Sequence, residues 1–352
     1  MKKTKTLRVR VKDNHAAQLR RMARSVNTVW NYVNELSERA IRERGLFLSA
    51  FDLQKYVQGS NKELGLHSHT PLMVCKEYAT RRKQYKRRRL AWRKSHGARR
   101  SLGWVPINTG MAKWKNGAVY HAGTYFKVWD SWGLKNYNFR SASFSEDARG
   151  RWYFNVVVEF EAEASTGAST VGIDLGCKDA ATVSDGTKET GRWYRGIEAD
   201  LAVAQQARKK KRVAAIHAKA ANRRKDAMHK LSRTLVDANA AIFVGNVSSK
   251  AMSQTRNAKS ALDAGWGMLK AMLSYKCDHA GVVFEEVNEA FTTQRCSCCG
   301  SIPASSPKGM GALGMREWVC DQCGSVHDRD VNAARNILAL GHERLAGGMP
   351  AL

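Results

Sequence analysis

The chain has 352 residues, more than one ordinary compact domain holds, so two or three domains are expected. Lys and Arg total 59 against 31 Asp and Glu, and a net charge of +28 points to a polyanionic partner, nucleic acid first and an anionic membrane surface second. No run of about 18 apolar residues exists to make a membrane-spanning helix, and the basic stretch Met1 to Arg10 lacks the apolar segment of a signal peptide.

Residues 5–12 (KTLRVRVK) alternate basic and apolar types, which predicts a half-exposed strand. From about His15 to Gly45, Leu19, Met22, Val26, Val29, Trp30, Val33 and Leu36 recur at three- and four-residue steps, which predicts a helix. A second helical region is expected to end in residues 81–100, where eleven of twenty side chains are Lys or Arg. A solvated helix face is the plain reading of a charge run. Here like charges crowd so closely that a neutralising anion fits better, so Arg81, Arg82, Lys83, Lys86, Arg87, Arg88 and Arg89 are candidate phosphate contacts.

From about Leu102 to Glu163 the pattern changes to strands rich in aromatic and β-branched residues, VYHAGTYFKVWD and WYFNVVVEFEAE among them. Those aromatics read first as core. STGAST (165–170) reads as a linker, and VGIDLGCKDAATVSDG as two strands around a glycine turn. Residues 198–240 form a long basic helical region, whose run at 208–225 adds Lys209, Lys210, Lys211 and Arg212 as candidate backbone contacts. A short apolar strand AIFVGNV (241–247), a helix over 258–280 and a strand VVFEEVN (282–288) follow, and a helix opens behind acidic residues in HDRDVNAARNILALGHERLA. Strands alternating with helices predict an α/β sheet in this half.

Five of the eight cysteines lie within residues 296–323. Such crowding speaks for a metal rather than a disulfide framework, and Cys75, Cys177 and Cys277 read as isolated thiols of a reducing, cytoplasmic protein. Cys296-x2-Cys299 and Cys320-x2-Cys323 suit tetrahedral zinc, each pair presenting two thiolates from a turn that a following glycine, Gly300 or Gly324, allows. The site is closed, so Zn2+ would be structural; Cys298 is spare.

Asp174 sits on an apolar strand, where an uncompensated carboxylate is costly. Asp328 and Asp330 open a helix, where acidic residues also serve as caps. In so basic a chain, carboxylates in apolar surroundings suggest a Mg2+ site for phosphodiester cleavage.

VGIDLG, the cysteine pairs in TTQRCSCCG and WVCDQCGSVHDRD, and HDRDVNAARNI together resemble the TnpB family, relatives of the type V CRISPR effectors; the likeness is specific over 168–340 and weaker before it. The resemblance implies a multidomain α/β and β-barrel protein. A wedge β-barrel would occupy 1–12 and 102–165, with a helical recognition domain at 13–101 inserted. An RNase H-like RuvC nuclease domain would occupy 166–291 and 326–345, with a zinc ribbon at 292–325 and a tail at 346–352. It also implies a guide RNA from the transposon end and a double-stranded DNA target beside a short motif, read by base pairing. Asp174 matches the first catalytic Asp and Asp330 that of the third motif, which leaves Asp328 a neighbour without a catalytic role.

The family's second motif is an apolar strand ending in Glu, but here Gly245 and Asn246 stand at that end. Two readings follow. The protein is an RNA-guided DNA-binding factor without nuclease activity, or another carboxylate has moved in. A strand–helix–strand unit over 241–288 makes parallel strands, whose C-terminal ends share one sheet edge. Neighbouring strands lie about 4.8 Å apart. Glu289, just past the second strand, can span that gap if glycine at 245 leaves room, and is therefore the expected third ligand.

Overall fold

The computed structural model describes residues 2–252, 254 and 258–347, so the expected tail from 348 onward lies outside the described residues. The chain divides into two compact units, Met1–Glu161 and Ala162–Leu352.

The first unit begins with β1 (Lys2–Val11), whose Leu7, Val9 and Val11 are buried between outward-facing basic residues. Four helices follow: α1 (Ala16–Arg44), α2 (Ala50–Val57), α3 (Asn61–Leu64) and α4 (His69–Tyr85). The predicted apolar stripe of α1 is buried from Leu19 to Val33, and Gly45 closes the helix in the left-handed conformation. Seven strands complete the unit: β2 (Trp104–Ile107), β3 (Lys113–Lys115), β4 (Ala118–His121), β5 (Thr124–Phe126), β6 (Val128–Trp129), β7 (Phe139–Glu146) and β8 (Trp152–Glu161). One antiparallel sheet runs β2-β7-β8-β1-β6, and β3-β4-β5 form a second. Both contribute to one core, in which the rings of Phe126 and Phe144 lie 4.7 Å apart. Among the described residues main-chain pairing leaves β2 and β6 as edges, so the expected barrel is not closed by hydrogen bonds.

The helix expected to run to residue 100 stops at Tyr85, where Lys86 turns left-handed with φ 50°. Asparagines on α1 hold the loop that replaces it. Asn34 accepts from Leu90 N at 3.0 Å and donates to Leu90 O at 2.8 Å, while Asn31 does the same for Arg93 at 2.8 and 3.0 Å. The loop's main chain is therefore satisfied without a helix, and the basic run is not stacked along one helix face.

The second unit opens with β9 (Ser169–Asp174), β10 (Asp179–Val183) and β11 (Lys188–Thr190), then α5 (Glu198–Gln206) and α6 (Lys210–Ala238). Next come β12 (Asn239–Gly245), α7 (Ser249–Met252), α8 (Ala258–Ala264), α9 (Trp266–Ala280) and β13 (Val283–Val287). A hairpin, β14 (Glu317–Val319) and β15 (Val326–Asp328), leads into α10 (Arg329–Ala346). The main sheet is ordered β11-β10-β9-β12-β13: the first three strands form an antiparallel meander, and β12 and β13 run parallel to β9. Ile173, Ile242 and Val244 pack with Met228 of α6 and Leu269 and Leu273 of α9, while Phe243 and Val287 pack with Ile337 of α10.

Three local expectations shift. Residues 165–168 are tied down rather than a free linker: Ser165 donates to Ala280 O and Val236 O, and β9 starts at Ser169. The basic helical region breaks at Arg208, which is left-handed with φ 51°. The cysteine hairpin runs through Asp328 because β15 pairs with β14, beyond the expected ribbon edge at 325.

Candidate active site and metal centre

Parallel pairing fixes the geometry of the acidic site. Val244 lies opposite Ile173, and Gly245 opposite Val287, so the C-terminal ends of β9, β12 and β13 share one edge of the sheet. Asp174 is the last residue of β9 and Glu289 follows β13 by two residues. Asp330 lies in the first turn of α10, which crosses directly over β9. That crossing needs glycine: a Cβ on Gly172 would lie 2.2 Å from Ala334 O.

The same logic governs Gly245. A Cβ there would lie 2.2 Å from Glu289 Oε2 and 3.3 Å from its Cδ, so the Glu289 side chain crosses over the bare backbone of β12. Glu289 Oε2 is buried with no hydrogen-bond partner. Burial raises the Glu289 pKa, and Lys270 and the Val247 main chain offset this in part. Asp174 is pushed up to about 7 by burial and then by the charges of Asp330 and Glu289. Asp174 thus bears the charge of two neighbouring carboxylates in a poorly solvated place, offset in part by Arg329 and the Leu175 main chain, and a bound cation would relieve it.

Asp328 stands apart. Its Oδ1 accepts from Asp330 N at 3.0 Å and Val331 N at 2.9 Å, and Lys188 Nζ lies 2.6 Å from Oδ2. Burial alone would raise its pKa, but the Lys188 bond and the main-chain donors outweigh it and hold it low. Asp328 is the N-cap of α10. Arg316 Nη1 is 3.0 Å from Asp330 Oδ2.

The four cysteines Cys296, Cys299, Cys320 and Cys323 bring their sulfurs within 4.8 Å of one another, with 3.7 Å for Cys296–Cys323 and 3.8 Å for Cys299–Cys320. Tetrahedral zinc–thiolate bonds require an edge of about 3.8 Å, so the donors fit that ion. The thiols are unequal without it: burial pushes Cys296 up to about 12, whereas the Ser325 hydroxyl and main chain draw Cys323 down to about 6. A cation would hold all four as thiolates. Cys298 is exposed and outside the group.

Sequence reasoning missed what joins the two sites. His327 Nε2 lies 3.0 Å from Cys296 Sγ, and its ring is 4.8 Å from that of Trp318. On α10, Asn332 accepts from Ser297 N at 2.9 Å, and the side chains of both Asn332 and Asn336 donate to Thr292 O and Arg295 O. The signal was present as two asparagines one helical turn apart on a helix face that is otherwise apolar.

Of the candidate phosphate contacts, Arg82 is corrected. It is 7% exposed and donates to Ser37 Oγ and Leu48 O, because α4 turns it inward. Arg81 lies on α4 with Nε 2.6 Å from Glu77. Lys83, Lys86, Arg87, Arg88 and Arg89 are exposed, all but Lys83 on the loop after α4. Lys209, Lys210, Lys211 and Arg212 are exposed at the N-terminus of α6, where cations oppose the helix dipole and gain nothing from the fold. No helix among the described residues is long and apolar enough to cross a membrane.

Residues 153–256 match a family model described as a probable transposase, and residues 266–337 match a second, "Cas12f1-like, TNB domain". Two relatives are named as putative RNA-guided DNA endonucleases. That of Streptomyces pristinaespiralis is 38% identical over 215 residues, covering 56% of this chain and 52% of the relative. InsQ of Escherichia coli K12 is 31% identical over 230 residues, covering 56% of each. A TnpB-like protein of Acanthamoeba polyphaga mimivirus, L79, is 35% identical over 132 residues, 36% of this chain and 24% of that one. Residues 153–337 are thus similar to the probable-transposase and Cas12f1-like family models and to relatives named as RNA-guided DNA endonucleases or TnpB-like proteins. The chain spans about half the length of the first two of these relatives. The Cas12f1 chain of a cryo-EM complex with single-guide RNA and target DNA shares the fold, with TM-score 0.60 and 11% identity over 96% of this chain and 98% of that one.

Proposed function

We propose that this chain is a TnpB-like, RNA-guided endonuclease that cuts double-stranded DNA next to a short motif, with Asp174, Glu289 and Asp330 as the ligands of a RuvC-type Mg2+ centre. The observation that carries the reading is the Glu289 carboxylate lying over Gly245, in the space where a side chain at that position would stand. The main sheet supports it as well. The C-terminal ends of β9, β12 and β13 share one edge, where sites of α/β sheets form, and Asp174 and Glu289 lie at that edge.

The orphaned Glu289 Oε2 and the raised Asp174 pKa are what a cation site looks like without its charge. Two magnesium ions would supply charge stabilisation of the attacking and leaving phosphate oxygens. The chain's own residues do the rest. Asp174 and Glu289 would offer oxygens from the sheet edge and Asp330 one from α10, the helix that Asp328 caps. The cysteine cluster would hold structural Zn2+, keeping the hairpin before α10 in shape. The exposed basic residues at 83–89 and 209–212 would carry guide RNA and target DNA backbone, and the first unit would combine wedge and recognition roles. The guide would come from the end of the transposon that encodes the protein.

The test is Mg2+-dependent cleavage. The protein is co-expressed with RNA from the flank of its own gene and given plasmids with randomised flanking motifs. Cutting beside one motif, abolished by Asp174→Ala and by Glu289→Gln, is the expected result. Guide-dependent binding without cutting would instead make Gly245 the mark of a centre that has lost its chemistry, and the protein one that acts by occupying DNA.

A further inference from the structure

A cavity of about 630 Å³ opens in the first unit between α1, the end of α4, the loop after it and β2. That volume is within the ordinary range of small-ligand sites. Its walls are aromatic and cationic. Trp30, Trp104 and the aliphatic Leu90 line its apolar part, and Tyr85 and Trp92 stand at it 58% and 42% exposed. Arg81, Arg87 and Arg93 also line it. Large aromatic side chains left open to water in the most basic stretch of the chain are costly unless something covers them.

The fold holds this shape firmly. Trp30 Nε1 donates to Ala91 O at 3.2 Å, pinning the loop. Arg93 donates to Asn27 Oδ1 at 2.7 Å and to Leu102 O at 2.6 Å, with its guanidinium 5.9 Å from the ring centroids of both Trp30 and Trp104. Arg89 lies 5.3 Å from the Trp92 ring, keeping a cation beside the exposed indole. One residue breaks the cationic pattern: Glu77 lines the cavity and holds Arg81 at 2.6 Å. A carboxylate repels phosphate and accepts a hydroxyl or a base N–H.

We propose that this cavity takes one unpaired nucleotide of single-stranded RNA, its base stacked on the exposed aromatic side chains, its ribose hydroxyl toward Glu77 and its phosphate toward Arg87. A planar base matches the aromatic walls, the phosphate matches the guanidinium, and the ribose 2′-hydroxyl is the donor that deoxyribose lacks. The choice of RNA as partner rests on the function proposed above, but the site's chemistry does not depend on DNA cleavage.

The test uses the full chain, free of guide, and short single-stranded RNA and DNA oligonucleotides carrying 2-aminopurine, whose fluorescence falls on stacking. RNA is expected to bind more tightly than DNA of the same sequence, with quenching that persists at high salt. Trp92→Ala is expected to weaken RNA binding about tenfold and to remove the quenching, while affinity for a fully paired duplex is unchanged. Trp92→Phe restores most of both, which separates stacking from damage to the fold. Equal binding of RNA by wild type and Trp92→Ala, equal or tighter binding of DNA, or an equal loss for duplex would each overturn the proposal. Failure of the cleavage assay leaves these outcomes intact, so the two readings fail separately.

Discussion

Glu289 Oε2 lies 2.2 Å from where a Cβ on Gly245 would stand, so the two positions cannot both carry side chains in their present arrangement. The obstructing atom is the far end of a flexible side chain, and Glu289 can swing away at little cost in stability. Gly245→Ala is therefore expected to fold normally, with a melting temperature near that of wild type, yet to cleave target DNA at least about tenfold more slowly because a ligand oxygen is displaced. Gly245→Glu alone should also be impaired. Combining it with Glu289→Ala should recover part of the activity by returning the carboxylate to the strand. Plasmid cleavage rates for the four proteins decide this, and full activity in Gly245→Ala would separate Glu289 from the centre.

Asp174 gives a pH dependence with a definite sign. In the metal-free chain its carboxyl holds a proton up to about 7, because of burial and the nearby carboxylates. An unfolded Asp releases its proton near pH 3.9. Between those values the folded state binds the extra proton, so this group's contribution to stability falls as pH rises from about 4 to 7. Asp174→Asn removes the titration. Without Mg2+, the variant's advantage in melting temperature over wild type is expected to grow between pH 5 and 7.5, and to shrink when Mg2+ is added. An advantage that does not change with pH would mean that Asp174 is not held protonated.

Zinc should matter beyond the hairpin that binds it. The hairpin's first turn is fastened to α10 through Asn332 and Asn336, and α10 carries Asp330. The intact chain is expected to contain one zinc per molecule. Cys320→Ser should lose the metal and speed hydrogen exchange across the hairpin and the first turns of α10, leaving the first unit protected. Asn332→Ala keeps all four thiolates and leaves Asn336 on the carbonyls of Thr292 and Arg295, but it takes the acceptor from Ser297 N and halves the fastening, at about 1–3 kcal/mol. It should retain zinc and still cleave slowly. Normal cleavage by Asn332→Ala would show that the fastening does not position Asp330.

What the sequence made legible follows from how local each signal is. The α1 stripe, the alternating β1 and the paired cysteines are short patterns, and each lies where its spacing put it. The parallel placement of β12 and β13 was readable from one strand–helix–strand rule, and with it the approach of Glu289 to Gly245. The end of α4 was not readable. Charge density suggested a helix to residue 100, but asparagines on α1, more than fifty residues earlier, bind that segment's main chain. Arg82 misled for a related reason: its neighbours in sequence are solvated, and only the packing of α4 turns it inward. The asparagine fastening on α10 likewise joins groups that are distant in sequence.

The basic run thus contains two kinds of arginine, and they should separate on mutation. Arg82 is buried, donates to Ser37 Oγ and Leu48 O, and lies near the rings of Phe47 and Tyr78. Replacing it with Ala leaves those acceptors unpaired and opens a cavity, a loss of about 2–3 kcal/mol in the first unit. Lys83, Arg87 and Arg88 are exposed, and their removal should change stability by no more than about 0.5 kcal/mol. Nucleic-acid binding should respond in the opposite way. Affinity for RNA should fall steeply with salt, since each neutralised phosphate releases counterions. The triple Ala variant of those three residues should flatten the slope by about one unit for every phosphate it no longer neutralises. Arg82→Ala, measured below its unfolding temperature, should keep the wild-type slope. A flattened slope in Arg82→Ala with no loss of stability would mean that the arginine turns outward to the polyanion, and that its bonds to Ser37 and Leu48 are not what keeps it in the chain.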